Sequence, residues 1–146
     1  MKKAVAILLA LSLAGCARQV PPTPAEAYRA IAPQDVQMLA LDGEQARALC
    51  GIDPGDVAAG QVYVCADSLR ADELWLLEAV DGAAVERLRQ AAQSRLAQKA
   101  AESKTYDPRQ YAVVQNAKTV VIGKFFALLV SPNADKMEKT LRGVRS

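Results

Sequence analysis

Histidine is absent from the 146 residues. That removes every Ser-His or Cys-His catalytic arrangement and the commonest zinc ligand. Aromatic residues are scarce, at 5% with a single tryptophan, so no platform for stacking nucleobases is present. An excess of either charge is missing too. Eighteen Lys and Arg stand against 16 Asp and Glu, which excludes a disordered polyelectrolyte and a strongly basic nucleic-acid binder. Beyond the N-terminal segment, no apolar run is long enough to span a bilayer. What the chain does have is 51% apolar residues, enough to build one small domain around a core, with little room for a second.

The first sixteen residues carry a strong address. Lys2 and Lys3 precede an apolar run from Ala4 to Leu13 broken only by Ser12, the layout of a secretory signal. The run ends in Leu13-Ala14-Gly15-Cys16, which resembles the lipobox of bacterial lipoproteins. The resemblance implies cleavage before Cys16 and attachment of lipid to its thiol, with acylation (palmitate) of the new amino terminus. Acyl chains anchor stably because each buried methylene contributes about 0.8 kcal/mol. The expected organisation is a cleaved signal at 1–15, a lipidated and proline-rich tether at 16–24, and one globular domain at 25–146. The domain would sit on the extracytoplasmic side of a cell membrane or outer membrane. Loss of residues 1–15 removes Lys2 and Lys3 and leaves 16 charges of each sign, so no electrostatic case for nucleic acid survives.

Cys50 and Cys65 remain in the exported part. An even pair in an oxidising compartment reads first as a disulfide, which for a loop of this length would contribute about 3 kcal/mol. Two buried free thiols are the other reading. The spacing is unlike that of a catalytic Cys-x-x-Cys pair.

Along the rest of the chain, Ala25–Ala32 predicts a short helix stopped by Pro33. Asp42 and Gln45 form a capping box for a two-turn helix that turns Ala46, Leu49 and Cys50 inward and ends at Gly51. Asp53-Pro54-Gly55-Asp56 is turn chemistry. Val62–Cys65 and Leu74–Leu77 predict adjacent antiparallel strands. Asp81 caps the longest helix, over 82–103, with Val85, Leu88, Ala92, Leu96 and Ala100 as its core stripe and Arg89 and Lys99 at the margins. After an exit loop at Tyr106-Asp107-Pro108 comes an extended segment at Tyr111–Gln115. Lys118–Ile122 and Phe125–Val130, joined by Gly123-Lys124, predict a type II′ hairpin. Asn133 caps a last helix with Met137 and Leu141 on one side. The expectation is an α+β two-layer sandwich, an antiparallel sheet of about four strands packed by the long helix and shorter flanking ones. The final hairpin is apolar on both faces, so either the N-terminal helices cover the second face, which is the expectation, or that face docks something.

Ala71-Asp72-Glu73 leading into an apolar strand, the long helix with Arg95, Tyr106-x-Pro108, the Gly123 hairpin and Ser131-Pro132 follow one another in a particular order. That order, together with the lipobox, resembles a bacterial lipoprotein family catalogued as domain of unknown function 4358. The similarity spans roughly Asp42 to Leu141 and implies fold and address. It transfers no catalytic residue.

Two function classes fit. One is a lipid-anchored, non-enzymatic binding or structural module that meets an envelope protein or cell-wall component, with the apolar hairpin, Trp75 and Tyr106 as candidate contacts. The other is an envelope hydrolase using a carboxylate pair, either Asp72 with Glu73 or Asp53 with Asp56. Neighbours on a strand point to opposite faces, and aspartate is ordinary beside a Pro-Gly turn, so the module is the expectation. No catalytic residue, metal site or cofactor is assigned, and a two-lobed solute-binding protein would need a larger chain.

Overall fold

The computed structural model describes residues 18–144. The signal segment and the expected lipidation site Cys16 lie outside the described residues. Helix α1 (Pro24–Ile31) opens with a capping box: the Thr23 hydroxyl accepts from the Glu26 N–H while Glu26 accepts from the Thr23 N–H. Edge strand β1 (Met38–Leu41) leads to α2 (Gly43–Cys50), where Asp42 and Gln45 form the expected box and Gly51 ends the helix at φ 69°. A 3-10 turn at Pro54–Asp56 precedes β2 (Val57–Cys65) and β3 (Glu73–Ala79). The long helix α3 (Gly82–Lys104) starts at Asp81, whose carboxylate accepts from the Ala84 N–H. Then follow α4 (Pro108–Gln115), β4 (Lys118–Ile122), β5 (Phe125–Val130) and α5 (Ala134–Gly143).

The five strands form one antiparallel sheet in the order β1-β2-β3-β5-β4. The α+β class and the long helix are as expected; a fifth strand joins the sheet, and helices cover both of its faces. On one face, Trp75, Leu77, Phe126, Leu128 and Val130 pack under α2, α3 and α4. On the other, Leu74, Leu76, Phe125, Ala127 and Leu129 pack against Ala27 and Ile31 of α1 and Met137 and Leu141 of α5. The period-2 alternation of β3 and β5 therefore feeds two cores, which is why β5 is apolar throughout and β3 is apolar from Leu74 to Leu77. The first and last helices together cover the second face of the hairpin.

Strand direction gives the molecule two ends. At one end lie the β4–β5 turn, where Gly123 has φ 58° as a type II′ turn needs, the start of α3 and the last turn of α5. At the other lie the β2–β3 loop, the end of α3 and the start of α5.

Several expectations are corrected by packing. Tyr111–Gln115 is helical rather than extended. Asp107 caps its start by accepting from the Arg109 and Gln110 N–H groups, and Pro108 takes the first helical position. Leu49 is exposed, while Ala46 and Cys50 carry the buried side of α2. Asn133 holds the N-cap position of α5 without a side-chain capping bond.

Candidate functional site

Glu73 begins β3 on the same side as Trp75 and Leu77, so alternation drives its carboxylate under α3. It is fully buried. A bare carboxylate there would be intolerable, and the helix above supplies its partners. The buried stripe of α3 runs Val85, Leu88, Ala92, Arg95 and on to Lys99, spaced by three and four. Arg95 grips Glu73 with Nε at 3.1 Å from Oε1 and Nη2 at 2.9 Å from Oε2. Lys99 Nζ stands 3.0 Å from Oε2, with its side chain only 11% exposed. The Trp75 indole donates to Oε1 at 2.8 Å, and the Cys50 thiol donates to the same oxygen at 3.7 Å. Lys99, expected at the margin of the stripe, is half-buried there and pairs with Glu73 instead of reaching solvent, and Leu96 and Ala100 pack at the edge of the core.

Burial alone would raise the Glu73 carboxyl; the guanidinium of Arg95, the Lys99 ammonium and the Trp75 N–H outweigh it and hold the group below its usual 4.5. The Cys50 thiol goes the other way, pushed up to about 12 by burial and by the adjacent Glu73 charge. An ionised carboxylate locked between two cations has no proton to donate, and a thiol held protonated is a poor nucleophile. The cluster ties strand to helix.

Its outer end opens on a cavity of about 140 Å³ at the β2–β3 loop end, lined by Leu69, Arg70, Lys99, Ser103, Tyr106 and Gln110. Gln110, on α4, accepts the Ala71 N–H at 2.7 Å and so joins the loop to the helix. Arg70 makes a paired contact with Asp72, Nε to Oδ2 at 3.0 Å. Leu69 and Tyr106 stand beside the mouth at 80% and 74% exposure. A second, apolar groove of about 210 Å³ runs under α2, past Leu41, Ala46, Ile52 and Val62; Asp42 on its wall is engaged as a helix cap.

The structure does not assemble the carboxylate pairs into sites. Asp72 turns to Arg70 while Glu73 turns under α3. Asp53 accepts from the Gly55 N–H, and Asp56 is gripped by Arg87 at 2.7–3.0 Å, which keeps its carboxyl below the usual range. Trp75, expected as a contact residue, is fully buried, whereas Tyr106 is exposed. Cys50 and Cys65 are both free. The expected disulfide is absent because Cys50 belongs to the core under α3, whereas Cys65 follows Val64 of that same core and alternation turns it to the opposite face. Among the described residues, no three His, Cys, Asp or Glu side chains lie together as a metal ion requires.

Sequence reasoning alone gave Gln110 no role and set Lys99 at the margin of the α3 stripe, where it stands half-buried but with its ammonium on Glu73. The signal was there: an acid opening the run Glu73-Leu74-Trp75-Leu76-Leu77 in the register of its buried side demands cations from whatever packs on it.

A family model described as a domain of unknown function (DUF4358) matches residues 32–131. The match takes in all five strands with α2, α3 and α4, and leaves α1 and α5 outside. No curated protein and no solved structure matches the chain.

Proposed function

The chain belongs to the family described as domain of unknown function DUF4358, and from that premise we propose a lipid-anchored envelope protein whose domain binds a partner without catalysing a reaction. The observation that carries the reading is the Leu13-Ala14-Gly15-Cys16 sequence behind a basic and apolar leader. Two acyl chains on a mature Cys16 would hold the domain at a membrane surface.

The binding surface is the cavity flanked by Leu69 and Tyr106. Exposed apolar side chains beside a polar pocket resemble the anchors of protein interfaces, where tyrosine is enriched. The buried Glu73–Arg95–Lys99 cluster beneath holds the β2–β3 loop and α3 in fixed relation, so the surface is preorganised. The partner class is an envelope protein or a cell-wall component.

In-cell crosslinking tests this directly. A photo-reactive residue at Tyr106 should capture one partner from cells making the anchored chain, and Leu69→Ala should weaken that capture. The same reagent at Lys136, on the opposite face of the sheet, should not capture it. Equal capture at both positions, or none at Tyr106, overturns the binding reading.

A further inference from the structure

The residues just after the expected anchor do not form a free tether. Gln19 donates from Nε2 to the Arg142 carbonyl oxygen at the end of α5. Pro22 is buried, and the Pro21 ring lies beside Gly123 in the β4–β5 turn. Thr23 then caps α1, whose first residue Pro24 is also buried. The chain is therefore fastened to the domain from Gln19 onward, at the end that carries the hairpin turn.

Only three peptide units separate Cys16 from Gln19. Extended chain covers at most about 3.6 Å per residue, so the anchored Cα lies within about 11 Å of Gln19. A tether that short cannot let a domain of this size tumble freely above a bilayer. We propose that the protein anchored through Cys16 stands in one orientation, with the Gly123 turn and the last turn of α5 against the lipid and the Leu69–Tyr106 cavity facing away. This rests on the lipid-anchor reading and adds to it the surface that meets the membrane.

Two exposed aliphatic residues at that end suit the assignment. Val20 and Val80 are exposed, Val20 next to Pro21, whose ring lies beside Gly123, and Val80 directly after Ala79, whose N–H donates to the Lys124 carbonyl. Both would lie at the headgroup boundary, where apolar side chains are favoured. The long axis sets the height. Helix α3 has 23 residues and runs from the membrane end to the cavity end, a rise of about 35 Å. The candidate binding surface is held clear of the headgroups by the length of the domain itself.

The test uses the full lipidated chain, purified from membranes and reconstituted in vesicles of phosphatidylethanolamine and phosphatidylglycerol carrying an acceptor dye on the headgroup. Cys65→Ser removes the half-buried thiol, and a donor dye is placed at Lys124→Cys or at Leu69→Cys. Energy transfer to the bilayer should be several-fold stronger from position 124. Replacing Gln19, Pro21 and Pro22 together by glycine should bring the two positions closer while the protein stays vesicle-bound. Equal transfer from both positions in vesicle-bound protein overturns the orientation and leaves the anchor reading intact. A purified chain without lipid that does not bind the vesicles overturns both.

Discussion

Glu73 shows how a single side chain can link two elements. Its burial is tolerable only because Arg95, Lys99 and Trp75 surround it. Removing one member leaves the rest unpaired in a dry core, so Glu73→Gln should lower unfolding free energy by about 3 kcal/mol in chemical denaturation. The double variant Glu73→Leu/Arg95→Leu should lose less than the sum of its single variants, because apolar replacement of both partners restores packing. The linkage sign follows from the lowered carboxyl. Its stabilisation is fully present above the usual value of 4.5 and drains away as pH falls through the lower folded value. Acid titration followed by the single tryptophan, which donates to this carboxylate, should therefore show a transition below pH 4.5 that Glu73→Gln lacks. The two domain cysteines give a further residue-scale outcome. In folded Cys16→Ala protein at pH 8, iodoacetamide should modify Cys65 and spare Cys50, with both reacting in denaturant. A mass two hydrogen atoms short of the dithiol form, restored by reductant, would show a disulfide and contradict the free pair.

At the scale of elements, legibility followed local chemistry. The box at Asp42 and Gln45, the Gly51 cap, the Asp81 cap and the Gly123 turn each rest on a few adjacent residues, and each stands where the sequence puts it. Helix α4 was hidden because Tyr111, Val113 and Val114 suit a strand, while the decisive feature was the Asp107-Pro108 start. Strand β1 was hidden because its four residues sit at an edge with no alternation; pairing with β2 makes it a strand. The turn of α3 that brings Arg95 and Lys99 onto Glu73 answers an acid more than twenty residues away, and no pattern within the helix itself reports that. Gly60 is another such position. Next to a register shift in β2 it has φ 101°, and a Cβ there would run into the Leu76 carbonyl oxygen. Gly60→Ala should destabilise by at least about 2 kcal/mol in thermal or chemical unfolding, through strain and displacement of the central strand.

Taken together, the described residues form a sheet with two cores and two ends. Sequence patterning disclosed that β5 is apolar on both sides, and hence that something covers it; α1 and α5, from opposite ends of the chain, are that cover. The same two helices fasten residues 19–24 beside the last turn of α5 and the hairpin turn. That arrangement places the N-terminal side of the domain at one end and the Leu69–Tyr106 cavity at the other. The anchor is the premise on which the functional account stands. Mass spectrometry of the N-terminal peptide, taken from protein in the membrane fraction of the producing cells, tests it most directly. The account predicts a mature chain beginning at Cys16 and carrying the added mass of lipid, with Cys16→Ala unmodified and released from membranes. A membrane-bound chain beginning elsewhere, or one whose Cys16 is a free thiol, would contradict it.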